Sequence, residues 1–164
     1  MLIFVKNNQK EYFESIRNPE EFWGKQAPSF VWHKPWKSIL QGKFETGTSK
    51  WFVGGKLNIT ENCLDRHLKS NAKDTALIWE PNDPKTKNIS FTYRELHEGV
   101  CRMANVLKKY NVQKGDCVCI YLPMIPQAVI SMLACARIGA IHNVVFAGFS
   151  AQSLADRIKD SDCH

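Results

Sequence analysis

Residues 117–150 read CVCIYLPMIPQAVISMLACARIGAIHNVVFAGFS. Three readings of this stretch compete: a membrane span, a buried core, and the rim of a ligand site. Cys117 to Ala136 is twenty residues without a charge, which meets the length of a membrane helix. Pro123 and Pro126 interrupt it, and Asp116 and Arg137 bound it. Its first part, through Leu122, is β-rich, and only the part from Pro126 is helical in character. A strand followed by a buried helix fits better than a span. The helix, Pro126 to Ile138, is apolar nearly all round and should be buried, with Gly139 closing it. Ile141 to Phe146 is mostly apolar, as parallel strands covered on both faces tend to be. Ala147-Gly148-Phe149-Ser150 then turns the chain into another helix.

Working outward, the preceding segment, Thr92 to about Tyr110, carries Leu96, Val100, Met103, Ala104 and Leu107 on one helical face. Ahead of it, Ala76-Leu77-Ile78-Trp79-Glu80 and Ile89-Ser90-Phe91 read as the two strands of a hairpin. Three helix starts share one local chemistry, an apolar residue before the cap and another four positions after it. Thr60 caps in the first, with Ile59 against Leu64. Thr92 and Glu95 form a capping box in the second, with Phe91 against Leu96. Ser150 caps the third, with Phe149 against Leu154. The order from Cys117 is β-α-β-α, the beginning of a doubly wound α/β sheet.

Residues 1 to about 58 look different. They hold four of the five tryptophans, Trp23, Trp32, Trp36 and Trp51, among turn signals such as Lys34-Pro35 and Gly54-Gly55. A short helix or two plus extended chain is expected, with the rings buried on something else. A tryptophan cage for a ligand is the sharper alternative, but aromatics mostly supply burial.

Composition narrows the class. The net charge of +6 comes from scattered lysines and arginines rather than a basic stripe interleaved with aromatics, so a solvated surface is expected and nucleic-acid binding is not. The N-terminal apolar run is too short for a secretion signal. Six cysteines, at 63, 101, 117, 119, 135 and 163, show no Cys-x-x-Cys spacing and read as reduced thiols of a cytosolic protein. Cys117 and Cys119 share a strand face, a poor geometry for bonding to each other.

Chemistry-bearing motifs are sparse. There is no Gly-x-x-x-x-Gly-Lys-Ser/Thr, no Gly-x-Gly-x-x-Gly and no His-Glu-x-x-His. The five histidines do not fall at metal-ligand spacing, and each reads as structural. Asp65-Arg66 and Arg94-Glu95 read as surface charges or ion pairs. The most site-like feature is the turn after Val145. It lies at the carboxyl end of a strand, where open α/β sheets bind ligands, and it leads into a helix N-terminus suited to an anion.

Several segments together resemble a family: YFESIRNPEEFWGKQA, WFVGGKLNITENCLDRHL, FTYRELHEGVCRMANVLKKYNVQKGD, YLPMIPQAVISMLACARIGAIHNVVFAGFS and RIKDS. In order and spacing, from about Glu11 to Asp162, they are similar to the N-terminal part of AMP-forming acetyl-CoA synthetases, of the adenylate-forming superfamily. The resemblance implies an α/β fold in which residues 1–66 are the family's N-terminal segment and residues 67–164 begin its AMP-binding domain. It also implies a ligase that joins acetate to CoA through an acetyl-adenylate, using ATP and Mg2+, with these small molecules as its partners. The family's phosphate loop, acyl pocket and catalytic lysine lie downstream of residue 164, so no catalytic residue is expected here and the chain alone is expected to be inactive. One patch carries over: Phe146, Ala147 and Gly148 match the Phe-Gly/Ala-Gly turn at the edge of the CoA nucleotide site. A propionate-specific relative, a non-catalytic CoA- or nucleotide-binding module and a purely structural piece remain as alternatives.

Overall fold

The computed structural model describes the backbone of residues 2–163 and the side chains of residues 9–163. Two compact units divide it, Met1–Leu57 and Asn58–His164.

The first unit opens with helices α1 (Leu2–Arg17) and α2 (Pro19–Gln26). Pro19 stands at the first helical position, where its lost N–H costs nothing. Strands β1 (Ser38–Gln41) and β2 (Lys50–Val53) then pair antiparallel, with Leu40 opposite Trp51. This hairpin stands where extended chain is expected from the sequence. Its strands are four residues long and flank a polar loop, too short for an alternating pattern to declare itself. The expectation that the rings bury on something else is also corrected. Trp32, Trp36 and Phe52 pack on one another, with centroids 4.9, 5.4 and 5.5 Å apart in mostly edge-on geometry. The Trp32 indole N–H donates to the Ala27 carbonyl at 2.9 Å. A Cβ on Gly55 would stand 2.6 Å from the Trp32 ring, so only glycine lets the chain pass beneath it.

The second unit holds the elements expected from the sequence. α3 (Ile59–Cys63) is followed by the antiparallel hairpin β3 (Thr75–Trp79) and β4 (Ile89–Thr92). α4 (Tyr93–Lys109) starts with the expected capping box. The Thr92 hydroxyl accepts from the Glu95 N–H at 3.2 Å, and the Glu95 carboxylate accepts from the Thr92 N–H at 2.8 Å. Its face of Leu96, Val100, Ala104 and Leu107 is buried, with Met103 packed beside it. These side chains meet Leu64, Ile120, Ala134, Cys135 and Ala140 in one core. Each large aliphatic there contributes on the order of 1.5–3 kcal/mol.

β5 (Cys117–Leu122), α5 (Pro126–Ile138) and β6 (Ile141–Phe146) form a β-α-β unit with β5 and β6 parallel, Cys117 opposite Ile141 and Leu122 opposite Phe146. α5 ends in a Schellman turn. Gly139 adopts the left-handed conformation (φ 80°), Ala140 N–H donates to Cys135 O, and Gly139 N–H donates to Ala136 O. α6 (Ala151–Asp160) is capped by Ser150, whose hydroxyl accepts from the Ser153 N–H at 3.2 Å. No described helix is long and apolar enough to cross a membrane.

Two expectations change here. β6 is not covered on both faces in this chain: Val145 is buried, but Ile141, Val144 and Phe146 stay exposed. The sheet holds two strands, so only part of the surface that β6 offers has a neighbour. The cap of α3 is Asn58, not Thr60. Asn58 Oδ1 accepts from the Thr60 and Glu61 N–H groups at 2.8 and 3.4 Å. Thr60 is already inside the helix and fully buried, and its hydroxyl donates to Leu133 O at 3.0 Å.

Candidate functional site at the end of strand β6

The turn at 146–149 is built by its neighbours. The Phe149 N–H donates to Phe146 O at 3.1 Å, closing it. The Tyr121 hydroxyl, reaching across from β5, lies 2.8 Å from both the Ala147 and Phe149 carbonyls and lashes the turn to the sheet. Phe146 is 64% exposed. Its ring lies over Gly148, where a Cβ would come within 2.5 Å of it, and edge-on to Phe149 at 5.8 Å. Arg157, one face of α6 away, sets its guanidinium over the Phe149 ring at 4.9 Å. Ala147 is half-buried and Gly148 is exposed. Phe146, Ala147 and Gly148 are thus brought together at a strand's carboxyl end, where the sequence put them.

Ser150 presents the first turn of α6 beside this turn. The N–H groups of Ala151 and Gln152 have no partner inside the helix by construction, and the helix dipole adds partial positive charge there. A wide-mouthed hollow of about 540 Å3 continues along α6, lined by Phe149, Ser153, Asp156, Arg157 and Asp160. The arrangement offers an exposed aromatic face, a close-approach backbone, free N–H groups and one arginine. Tyr121 and Arg157 were not singled out from sequence. The signal for Tyr121 was its place one position short of the end of a strand whose other residues are apolar.

A second polar cluster is structural. Arg137 donates two hydrogen bonds to Asp65, Nη1 to Oδ2 and Nη2 to Oδ1, both 2.8 Å. His97 Nε2 stands 3.3 Å from Arg137 Nη2 and 3.4 Å from Asp65 Oδ1. The guanidinium's hydrogen bonds hold the Asp65 carboxyl below its ordinary range, and the carboxylate raises the Arg137 pKa in turn. The sequence marked Asp65 as an ion-pair residue, but its partner lies 72 positions away. Glu95 likewise pairs with the Thr92 cap, not with a charge. An adjoining cavity of about 520 Å3 is lined by Asn58, Glu61, Cys101, Asn105, Lys108 and Arg137. Among the described residues, no three His, Cys, Asp or Glu side chains group as a metal site.

Comparison with known proteins is consistent along the chain. Residues 64–164 match the family described as AMP-binding enzyme, and residues 8–63 match the acetyl-coenzyme A synthetase N-terminus. "Acetyl-coenzyme A synthetase 2" of Pseudomonas aeruginosa is 54% identical over 156 residues, 94% of this chain and 24% of that protein. "Acetyl-coenzyme A synthetase" of Saccharophagus degradans is 55% identical over 161 residues, 96% of this chain and 25% of that protein. Among solved structures, acetoacetyl-CoA synthetase from Streptomyces lividans superposes with a TM-score of 0.81 at 29% identity, covering 92% of this chain and 23% of that one. The chain therefore spans about a quarter of the length of the relatives it matches. With the AMP-binding match covering residues 64–164, in an α/β fold shared with an acyl-CoA synthetase, the chain belongs to the AMP-binding enzyme family and carries an acetyl-coenzyme A synthetase N-terminus ahead of that region.

Proposed function

We propose that this chain is the N-terminal quarter of an acetate–CoA ligase. The observation that carries the reading is 54–55% identity, over nearly the whole chain, to proteins named acetyl-coenzyme A synthetase. The reaction has two steps. An acetate carboxylate oxygen attacks the α-phosphorus of ATP, and pyrophosphate leaves as the acetyl-adenylate forms; Mg2+, when bound, would offset the phosphate charge. The CoA thiol then gives its proton to solvent as its sulfur attacks the acetyl carbonyl carbon, and the C–O bond to AMP breaks as the thioester forms. Both steps depend on holding charged reactants in place rather than on covalent participation by the protein. Residues 1–66 serve as the N-terminal segment, residues 67–164 begin the AMP-binding domain, and the setting is cytosolic, in keeping with six free thiols.

Within this reading, Phe146, Ala147 and Gly148 form the edge of the CoA nucleotide site. The exposed Phe146 ring offers a face to the adenine, Ala147 and Gly148 allow close backbone approach, and the first turn of α6 faces the phosphates. The test joins this chain to the remainder of the Pseudomonas aeruginosa relative and follows acetyl-CoA formation. Formation that requires acetate, ATP and CoA together is expected, with none from the 164-residue chain by itself. A chimera that is folded by circular dichroism yet forms no acetyl-CoA would sink the proposal.

A further inference from the structure

We infer that Cys117 and Cys163 form a redox-responsive thiol pair, which closes to a disulfide when a low-molecular-weight disulfide is the oxidant. β5 has β6 on one side. On its other side the backbone at Cys163 makes a parallel bridge directly to Cys117. Neighbouring strands set Cα atoms about 4.8 Å apart, inside the range a disulfide spans. The two Sγ atoms lie 2.8 Å apart, so a small χ1 rotation brings them to bonding distance.

The placement of Cys163 is built, not incidental. α6 ends in a left-handed turn at Asp162 (φ 48°), a conformation aspartate tolerates better than most residues. The Asp162 N–H donates to Lys159 O, and the Cys163 N–H donates back to Ile158 O at 3.1 Å. Ser161, itself bonded to Asn143 of β6, holds its hydroxyl 3.3 Å from the Cys163 sulfur. Both thiols are partly exposed, so a small reagent reaches them, whereas Cys135 is fully buried. The contact with the Cys163 thiol, with burial, pushes the Cys117 thiol up to about 11.

The exchange balances. One cysteine of the pair, as its thiolate, attacks one sulfur of oxidised glutathione, breaks its S–S bond and releases one glutathione thiolate. The other cysteine, giving its proton to solvent, then attacks the sulfur of that mixed disulfide on its partner and displaces the second glutathione. The two cysteines lose two electrons, and the oxidant leaves as two thiols.

The test uses the whole chain, oxidised with glutathione disulfide, alkylated with N-ethylmaleimide and digested with trypsin. Cys163 falls in peptide 160–164, and Cys117 falls in peptide 115–137 together with Cys119 and Cys135. A cross-link between these peptides is expected in the unmodified chain and in C119S and C135S, and is expected to drop by about tenfold or more in C117S and C163S. Persistence in C117S would assign the bond to Cys119 or Cys135 and overturn the pairing. So would glutathione on exposed Cys63 with no cross-link, or a native pattern no different from that of the same oxidation in urea, where pairing is statistical.

Discussion

At the residue scale, a few polar side chains tie distant segments together. Asn58 is the clearest. Its oxygen caps α3, while its Nδ2 donates to the Ala136 and Arg137 carbonyls at 3.2 and 3.1 Å, closing the last turn of α5. One side chain thus satisfies orphan groups at the start of one helix and the end of another. Asn58→Ala is expected to cost about 2 kcal/mol, more than a simple cap, read as a lower urea midpoint at unchanged slope. The sequence pointed to Thr60 because apolar Ile59 precedes it and Leu64 follows it by four positions, the pairing that flanks a cap. What it could not show is that Thr60 lies against α5, where its hydroxyl has a better partner in Leu133 O. Asp65 is the second case. Its carboxyl is held low in the folded state by Arg137, so its stabilisation is complete above the ordinary value near 3.8 and fades as pH falls below it. Asp65→Asn is expected to cost about 1–3 kcal/mol at neutral pH and to flatten this acid limb in pH-dependent denaturation. An unchanged acid limb would remove Asp65 from that role.

At the scale of elements, periodicity carried most of the fold. α4 announced itself through a capping box and an apolar stripe at helical spacing, and α5 through Pro126 at its start and Gly139 at its end. Each signal is local, so the sequence alone sufficed. The β1–β2 hairpin has strands too short to show alternation, and the Asp65–Arg137 pair depends on a partner 72 positions away that local patterns do not encode. The turn at 146–148 was legible as a position, a strand end leading to a capped helix. The Tyr121 hydroxyl that fixes its shape was not, because a tyrosine within a strand reads first as burial. Gly139 gives an element-scale prediction. Its φ of 80° and a Cβ contact of 2.9 Å with Lys114 Cγ both disfavour any side chain. Gly139→Ala is expected to cost about 1 kcal/mol, measurable by thermal melt. Tyr121→Phe removes the lash but keeps the ring, so it should leave the melting temperature within a few degrees; on the proposed reading of the turn it should also weaken CoA binding, measured by titration with CoA.

At the scale of the whole molecule, two compact units carry two family signatures, and on the proposed reading the turn at 146–148 of the second is the edge of a CoA site. A binding edge for CoA has a specific kinetic consequence. Damage there should spare adenylate formation, which CoA does not enter, and impair thioester formation, which it does. The most direct measurement compares the two half-reactions in the chimera with the Pseudomonas aeruginosa relative, with and without Gly148→Trp. Acetate-dependent exchange of pyrophosphate into ATP reports the first, and acetyl-CoA formation reports the second. Unchanged exchange and a KM for CoA raised by about tenfold or more are expected in the variant. Equal loss of both half-reactions in a folded variant, or an unchanged KM for CoA, would contradict the CoA reading of the turn.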